Sequence, residues 1–186
     1  MASLKKIITV PLSARGVSRR NRDLGFILKM TNFLTTTHSF DQVVREGLAK
    51  VMRYFSMERG RFYTYDPARN LLILHTSRGL DAEGLESMGL GQGFTGKAAI
   101  TRCFLAQKVM DMKNKERAEM LASLGIRSLV CLPLVVGDRL LGVMNLGSKK
   151  TIELEPETID LMLVVGNILA LAALNAQYAE ELGKPE

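Results

Sequence analysis

Ser123 to Lys149, SLGIRSLVCLPLVVGDRLLGVMNLGSK, constrains this chain more than any other stretch. Ser128 to Val136 is apolar and rich in β-branched residues, with no charge. That pattern fits a strand buried on both faces. Val136-Gly137-Asp138-Arg139 is a tight turn, and Leu140 to Leu146 is the return strand. Gly142 and Gly147 interrupt that strand, so something packs close to its backbone. Gly125 follows the apolar pair Leu121 and Leu124, where a C-capping glycine belongs, so a helix leads into the hairpin.

The other elements follow from periodicity. Asp23 to Thr35 carries Leu24, Ile27, Leu28, Phe33 and Leu34 on a helical stripe, with Asp23 in the first turn. Ser39 or Asp41 caps a second, amphipathic helix, in which Phe40, Val43, Val44, Leu48, Val51, Met52 and Phe55 recur at steps of three and four. Arg61–Tyr65 and Leu71–Thr76 form a hairpin around Asp66–Asn70, with Tyr63 and Tyr65 on one side and Phe62 and Thr64 on the other. An irregular, Gly-rich stretch from Gly79 to Gly96 leads to a short helix over Thr95–Arg102 and a short strand over Phe104–Val109. Lys113–Leu124 reads as a charged surface helix, capped by Asn114, with Met120, Leu121 and Leu124 turned inward. Gly91-x-Gly93-x-x-Gly96 formally matches a dinucleotide fingerprint. That motif belongs directly after a buried strand in a βαβ unit, and here a hairpin and a loop precede it. A turn and a helix start explain it better than a phosphate site does.

The last helix runs from Glu155 to Leu182, with Pro156 and Glu157 in its first turn. From Leu161 to Leu174 it is apolar nearly all round, and an all-round apolar helix in a small protein needs a second burying surface. A partner subunit is the simplest one. Val164, Ile168, Leu171 and Asn175 mark a seam, and Leu24 and Ile27 would add to it from the first helix. The apolar run is 14 residues long, against roughly 20 for a membrane span.

Charge divides the chain. Residues 1–22 hold six basic residues (Lys5, Lys6, Arg15, Arg19, Arg20 and Arg22) and no acid, and the remainder balances 19 basic against 19 acidic residues. The net charge of +6 therefore describes a basic tail and not a nucleic-acid-binding face on the domain. Nucleic acid would be recruited only through that tail. An acid-free Arg- and Ser-containing start is also a transit-peptide composition, and a disordered tail is the blander reading. Cys103 and Cys131 form no CxxC pair, which fits a reducing, cytoplasmic setting and two small core residues.

The run GIRSLVCLPLVVGDRLLGVMNLGS, preceded by GLGQGFTGKAAITR and followed by a long apolar helix, resembles a GAF domain, a small-molecule-sensing and dimerising module of bacterial signalling proteins. The likeness spans residues 22–182 as one domain, leaving 1–21 as a basic flexible tail and 183–186 as a C-terminal tail. It implies an α/β (α+β) sandwich: an antiparallel sheet of about six strands, with the N- and C-terminal helices on one face and short helices and loops over the other. It also implies a ligand between the sheet and that cover. Strand alternation then nominates Tyr63, Tyr65, Cys131, Pro133 and Asn145 for the floor, and Phe94, Cys103 and Met110 for the cover. The same side chains would equally serve as plain core.

Chemistry for other roles is thin. His38 and His75 are the only histidines, and no nucleophile–base pair, paired carboxylate or metal spacing occurs. His75 is the one weak metal or haem candidate, and no cofactor is assigned. The fold is shared by enzymes that reduce free methionine sulfoxide with cysteines in the loop matching Leu90–Lys97; this chain has none there. The Asn-Lys-x-x-x-Phe-x-x-x-Asp signature of cyclic-nucleotide-binding GAF domains is incomplete at Asn114-Lys115, and the surroundings of Cys103 do not resemble a bilin attachment site. The expectation is a non-catalytic sensor that dimerises through its terminal helices and passes a signal to an output domain or partner. The alternatives are a ligand-free dimerisation scaffold, a small reductase and a haem or iron sensor.

Overall fold

A computed structural model describes residues 14–37, 39–79 and 85–183. Residues 1–13 of the basic tail, His38 and residues 184–186 lie outside the described residues. The elements are α1 (Ala14–Thr36), α2 (Phe40–Tyr54), β1 (Arg59–Asp66), β2 (Leu71–Arg78), β3 (Ser87–Gly89), α3 (Gly93–Thr101), β4 (Leu105–Lys108), α4 (Lys115–Ser123), β5 (Ser128–Val136), β6 (Arg139–Ser148) and α5 (Pro156–Leu182), with a 3-10 turn at Val109–Asp111. The six strands form one antiparallel sheet in the order β3-β2-β1-β6-β5-β4. The two middle strands are β1 and β6, so the β1–β2 and β5–β6 hairpins meet at the centre and the short strands β3 and β4 form the edges.

Local rules explain the middle of the fold. At the end of α4 the Ile126 amide donates to the Leu121 carbonyl and the Gly125 amide to the Ala122 carbonyl, both at 2.9 Å, with Gly125 at φ 74°. This is a Schellman stop, and glycine takes that φ without strain. It turns the chain straight into β5. At the other end of α4 the Asn114 side chain accepts from the Arg117 amide at 2.9 Å, satisfying one of the helix's unpaired donors. On β6, a Cβ at Gly142 would lie 2.0 Å from the Tyr63 carbonyl oxygen, so β1 is the close neighbour that the interrupted strand called for.

The three long helices share one face of the sheet. Phe62, Val130, Leu132, Leu134, Met144 and Leu146 point from the strands into a continuous apolar core with Val44, Leu48, Met162, Val165, Leu169 and Ala173. Three glycines permit the close approaches in this layer: a Cβ on Gly60 would meet Met52, one on Gly47 would meet Leu169, and one on Gly166 would meet Leu132. Phe26 and Tyr54 stack with ring centroids 3.8 Å apart and planes within 4°, which fastens α1 to α2.

Several expectations need correcting. Helix α1 starts at Ala14, nine residues before Asp23. Arg19 holds that extra length by reaching Glu155 and the Thr158 hydroxyl at the start of α5. The second burying surface sought for α5 is supplied in large part within the chain, by α1 and α2; Val164 and Leu171 remain 43% and 50% exposed. By length and composition α5 is apolar enough to cross a membrane, but half of its most apolar window is buried in this fold. On α4 only Leu121 of the three predicted inward residues is buried; Met120 and Leu124 are exposed. The irregular Gly79–Gly96 stretch contains the edge strand β3, paired to β2 through Leu71–Gly89, Leu72–Met88 and Ile73–Ser87.

A candidate ligand site beneath the short helices

The second face of the sheet is read off the register. Opposite Arg61 stands Asn145, and opposite Asn145 stands Cys131. Tyr63, Val143 and Pro133 make the neighbouring row, and Arg59, Gly147 and Leu129 the row on the other side. Period-two alternation brings Arg59, Arg61 and Tyr63 of β1 to this face together. Helix α3 lies over it, and so does α4. A Cβ on Gly96 would sit 2.4 Å from the Gly89 carbonyl oxygen, so only glycine lets α3 settle this close to the end of β3. The glycines of the rejected fingerprint serve this turn.

Floor and cover frame a partly open cavity of about 60 Å³, lined from the sheet by Arg59, Arg61, Tyr63, Met88, Leu129, Cys131 and Asn145, and from above by Phe94, Thr95, Arg117 and Leu121. About 10–15 Å³ is enough for one water, so this space has room for a few waters or one small group. Asn145 Nδ2 donates to Thr95 Oγ1 at 2.6 Å. The Asn145 Oδ1 atom is shut off from solvent and has no partner. Arg59 Nε and Arg117 Nε share that condition. Tyr63 is fully buried, and its hydroxyl donates to the Leu85 carbonyl at 3.2 Å. Burial raises the Tyr63 phenol, with Arg61 and Arg117 pulling the other way. Burial also pushes the Cys131 thiol up to about 12, partly offset by the Thr95 hydroxyl. At neutral pH Cys131 is therefore a thiol and a poor nucleophile.

Of the predicted pocket residues, Tyr63, Phe94, Cys131 and Asn145 meet at this cavity. Tyr65 does not. Its hydroxyl bonds Asn70 at 2.9 Å, and its ring lines an open groove of about 730 Å³ at the far end of the sheet. That groove is larger, and several of its polar groups are already engaged: Glu180 accepts from the Phe40 amide at 2.8 Å, Arg139 donates to Tyr178 at 2.8 Å, and Arg102 lies 3.8 Å from Asp138. Pro133 is buried one row along and does not line the cavity. Cys103 and Met110 are not cover. Cys103 is exposed, with its thiol on the Thr101 carbonyl at 3.2 Å, and Met110 is 73% exposed. The arginines, Thr95 and Met88 were not anticipated. For Arg61 a signal existed, since it alternates with Tyr63.

His75 is engaged with protein. Its Nε2 lies 3.0 Å from Asp41 Oδ1, and its ring meets Phe40 edge-on. Hydrogen bonds from Arg45, and then from His75, hold the Asp41 carboxyl below its usual range. No group of three or more His, Cys, Asp or Glu gathers among the described residues. On the helix side, Leu24, Val164, Leu171 and Asn175 are exposed and Ile27 and Ile168 are half-buried. Ile168, Leu171 and Asn175 flank a groove of about 380 Å³ against Thr31, Leu34 and Thr35 of α1.

Comparison with known proteins places this architecture. The GAF domain of an Acinetobacter phosphoenolpyruvate-protein phosphotransferase superposes with a TM-score of 0.70 at 16% identity, covering 89% of this chain and 99% of that one. Free methionine-R-sulfoxide reductase from Neisseria meningitidis, solved with its substrate, gives 0.72 at 16% identity, covering 84% and 91%. A domain of a putative two-component sensor histidine kinase from Sinorhizobium meliloti 1021 gives 0.62 at 17% identity, covering 78% and 99%. At such identities these likenesses describe the fold, which signalling proteins and a reductase share. No curated protein matches at the level of sequence. The family profile of the GAF domain matches residues 37–172, well over half of the chain, and the protein belongs to the GAF domain family.

Proposed function

We propose that this protein is a non-catalytic sensory GAF module that binds a small molecule between the sheet and helices α3 and α4. The observation that carries this reading is the solvent-inaccessible, unpartnered acceptor at Asn145 Oδ1 on the floor of the small cleft beneath α3 and α4. A buried polar atom without a partner costs about 1–3 kcal/mol, and a bound ligand that donates to it removes that cost. The protonated Cys131 and the position of Cys103 outside the cavity favour sensing over reductase chemistry.

The output runs through the terminal helices. Leu24 and Leu28 of α1 and Val164 and Leu171 of α5 leave apolar surface uncovered, which a second copy of the chain would bury. A ligand shifts how those helices pair by as much as its affinity differs between the two arrangements, a factor of ten being roughly 1.4 kcal/mol. The module is cytoplasmic and acts on a signalling output domain or partner protein. Native mass spectrometry, followed by denaturing spectrometry of the same sample, tests all of this at once. A dimer carrying an extra non-covalent mass is the expected result. A bare dimer that no small molecule stabilises would leave a dimerisation scaffold instead, and a bare monomer would overturn the helix seam.

A further inference from the structure

The charge of the cavity is lopsided. Arg59 and Arg61 of β1 and Arg117 of α4 all line it, and no described carboxylate does. Arg59 uses its outer edge on the Gly79 carbonyl, while its Nε is buried without an acceptor. Arg117 forms no ion pair among the described residues, and its Nε is likewise unsatisfied. It also stands in the first turn of α4, where the helix dipole opposes a positive charge. Arg61, two residues along β1 from Arg59, also lines the cavity and has a partner of its own. Guanidinium groups with a buried, unpartnered Nε, as at Arg59 and Arg117, are costly until an acceptor compensates that atom. They match planar or tetrahedral oxyanions in particular, since two N–H groups meet two oxygens at once. Beside them, Asn145 Oδ1 offers an acceptor and the ring of Phe94 offers an apolar wall.

We propose that the cavity takes a small oxyanion, a carboxylate or a phosphate, between Arg59, Arg61 and Arg117, while Asn145 Oδ1 accepts from a hydroxyl or amino group of the same molecule. This rests on the sensor reading above and gives its ligand a chemical class. A molecule with a carboxylate and a neighbouring donor, such as a hydroxy acid, satisfies every orphaned atom. Inorganic phosphate in its protonated form does so more sparsely.

The test is thermal unfolding of the full chain at fixed ionic strength, titrated separately with inorganic phosphate, succinate and lactate, with chloride as reference. A saturable rise in Tm with at least one of the three is expected, and the responding anion tells phosphate from carboxylate. Arg117→Gln should weaken that response at least tenfold, Arg117→Lys should weaken it less, and Arg139→Gln, in the open groove, should leave it unchanged. Arg59→Gln serves as the second variant if Arg117→Gln fails to fold by circular dichroism. An equal response in the wild type and the Arg117→Gln or Arg59→Gln protein would overturn the assignment, because the anion would then be acting on the surface. If no anion responds while native spectrometry finds a neutral molecule bound, the oxyanion class falls and the sensor stands. If nothing binds in either experiment, both fall.

Discussion

The two faces of the sheet are built to different specifications. Toward the long helices, Leu132, Leu134, Met144 and Leu146 meet Val165, Leu169 and Ala173, and the buried hydroxyls of Ser128 and Ser148 at the strand ends accept from backbone amides. Toward the short helices, Tyr63, Cys131 and Val143 share their layer with Asn145, Thr95 and three arginines, and three atoms there lack any partner. The first face maximises burial. The second retains polar groups that leucine or valine could replace with no loss of packing. Polar groups held where apolar ones would serve stability as well point to binding.

The largest effect that sharpens this contrast lies on the helix side. Leu132 is 1% exposed and abuts Gly166 of α5. Leu132→Ala opens a void that α5 cannot close, and it should cost about 2–5 kcal/mol in urea unfolding. A cost below 1 kcal/mol would mean that the helix layer is looser than its packing implies. Next comes Leu171→Glu at the exposed edge of the same layer. It should abolish the proposed dimer in sedimentation while changing the stability of the monomer by no more than about 0.5 kcal/mol. Dimeric mass in that variant would move the interface elsewhere.

Alkaline unfolding compares the layers through their tyrosines. Burial, and then the hydrogen bond to Asp23, pushes Tyr54 on the helix side up to about 12. Tyr63 is also raised, though Arg61 and Arg117 favour its phenolate. A phenol whose folded pKa is raised lends stability that is complete below its unfolded value near 10 and is lost as pH climbs through the folded value. Unfolding free energy should therefore fall from about pH 10 upward. Tyr54→Phe should remove more of that fall than Tyr63→Phe does, and the opposite order would break the comparison.

What could be read in advance follows the range of the interactions. The β5–β6 hairpin, the Gly125 stop and the Asn114 cap obey rules spanning a few residues, and each stands where the sequence places it. The start of α1 escaped because Arg19 finds Glu155 136 residues away. Strand β3 escaped because three residues carry no periodicity and pairing with β2 alone defines them. In the candidate site, alternation aligned Tyr63, Cys131 and Asn145, and it applied equally to Arg59 and Arg61. Charged residues in a hairpin read as solvent-facing until a cover is seen above them. Arg117 was beyond reach, since only the docking of α4 turns it to the cavity, and Met110 in the 3-10 turn and Cys103 after α3 lie outside it.

The smallest expected effect is the most discriminating. Asn145→Leu keeps the same branched heavy-atom skeleton with bulkier methyl ends, deletes the orphaned Oδ1 and gives up one hydrogen bond to Thr95. The lost bond is worth about 1 kcal/mol, and relief of a buried unsatisfied acceptor returns about as much. Unfolding free energy should then stay within about 1 kcal/mol of the wild type while ligand retention in native spectrometry disappears. Leucine costs little here only if the amide serves a ligand and not the fold. Should Asn145→Leu lose 2 kcal/mol or more, by the ordinary scale for a broken buried network, Asn145 would be a structural strut. The cover face would then be core of the same kind as the helix face, only more polar.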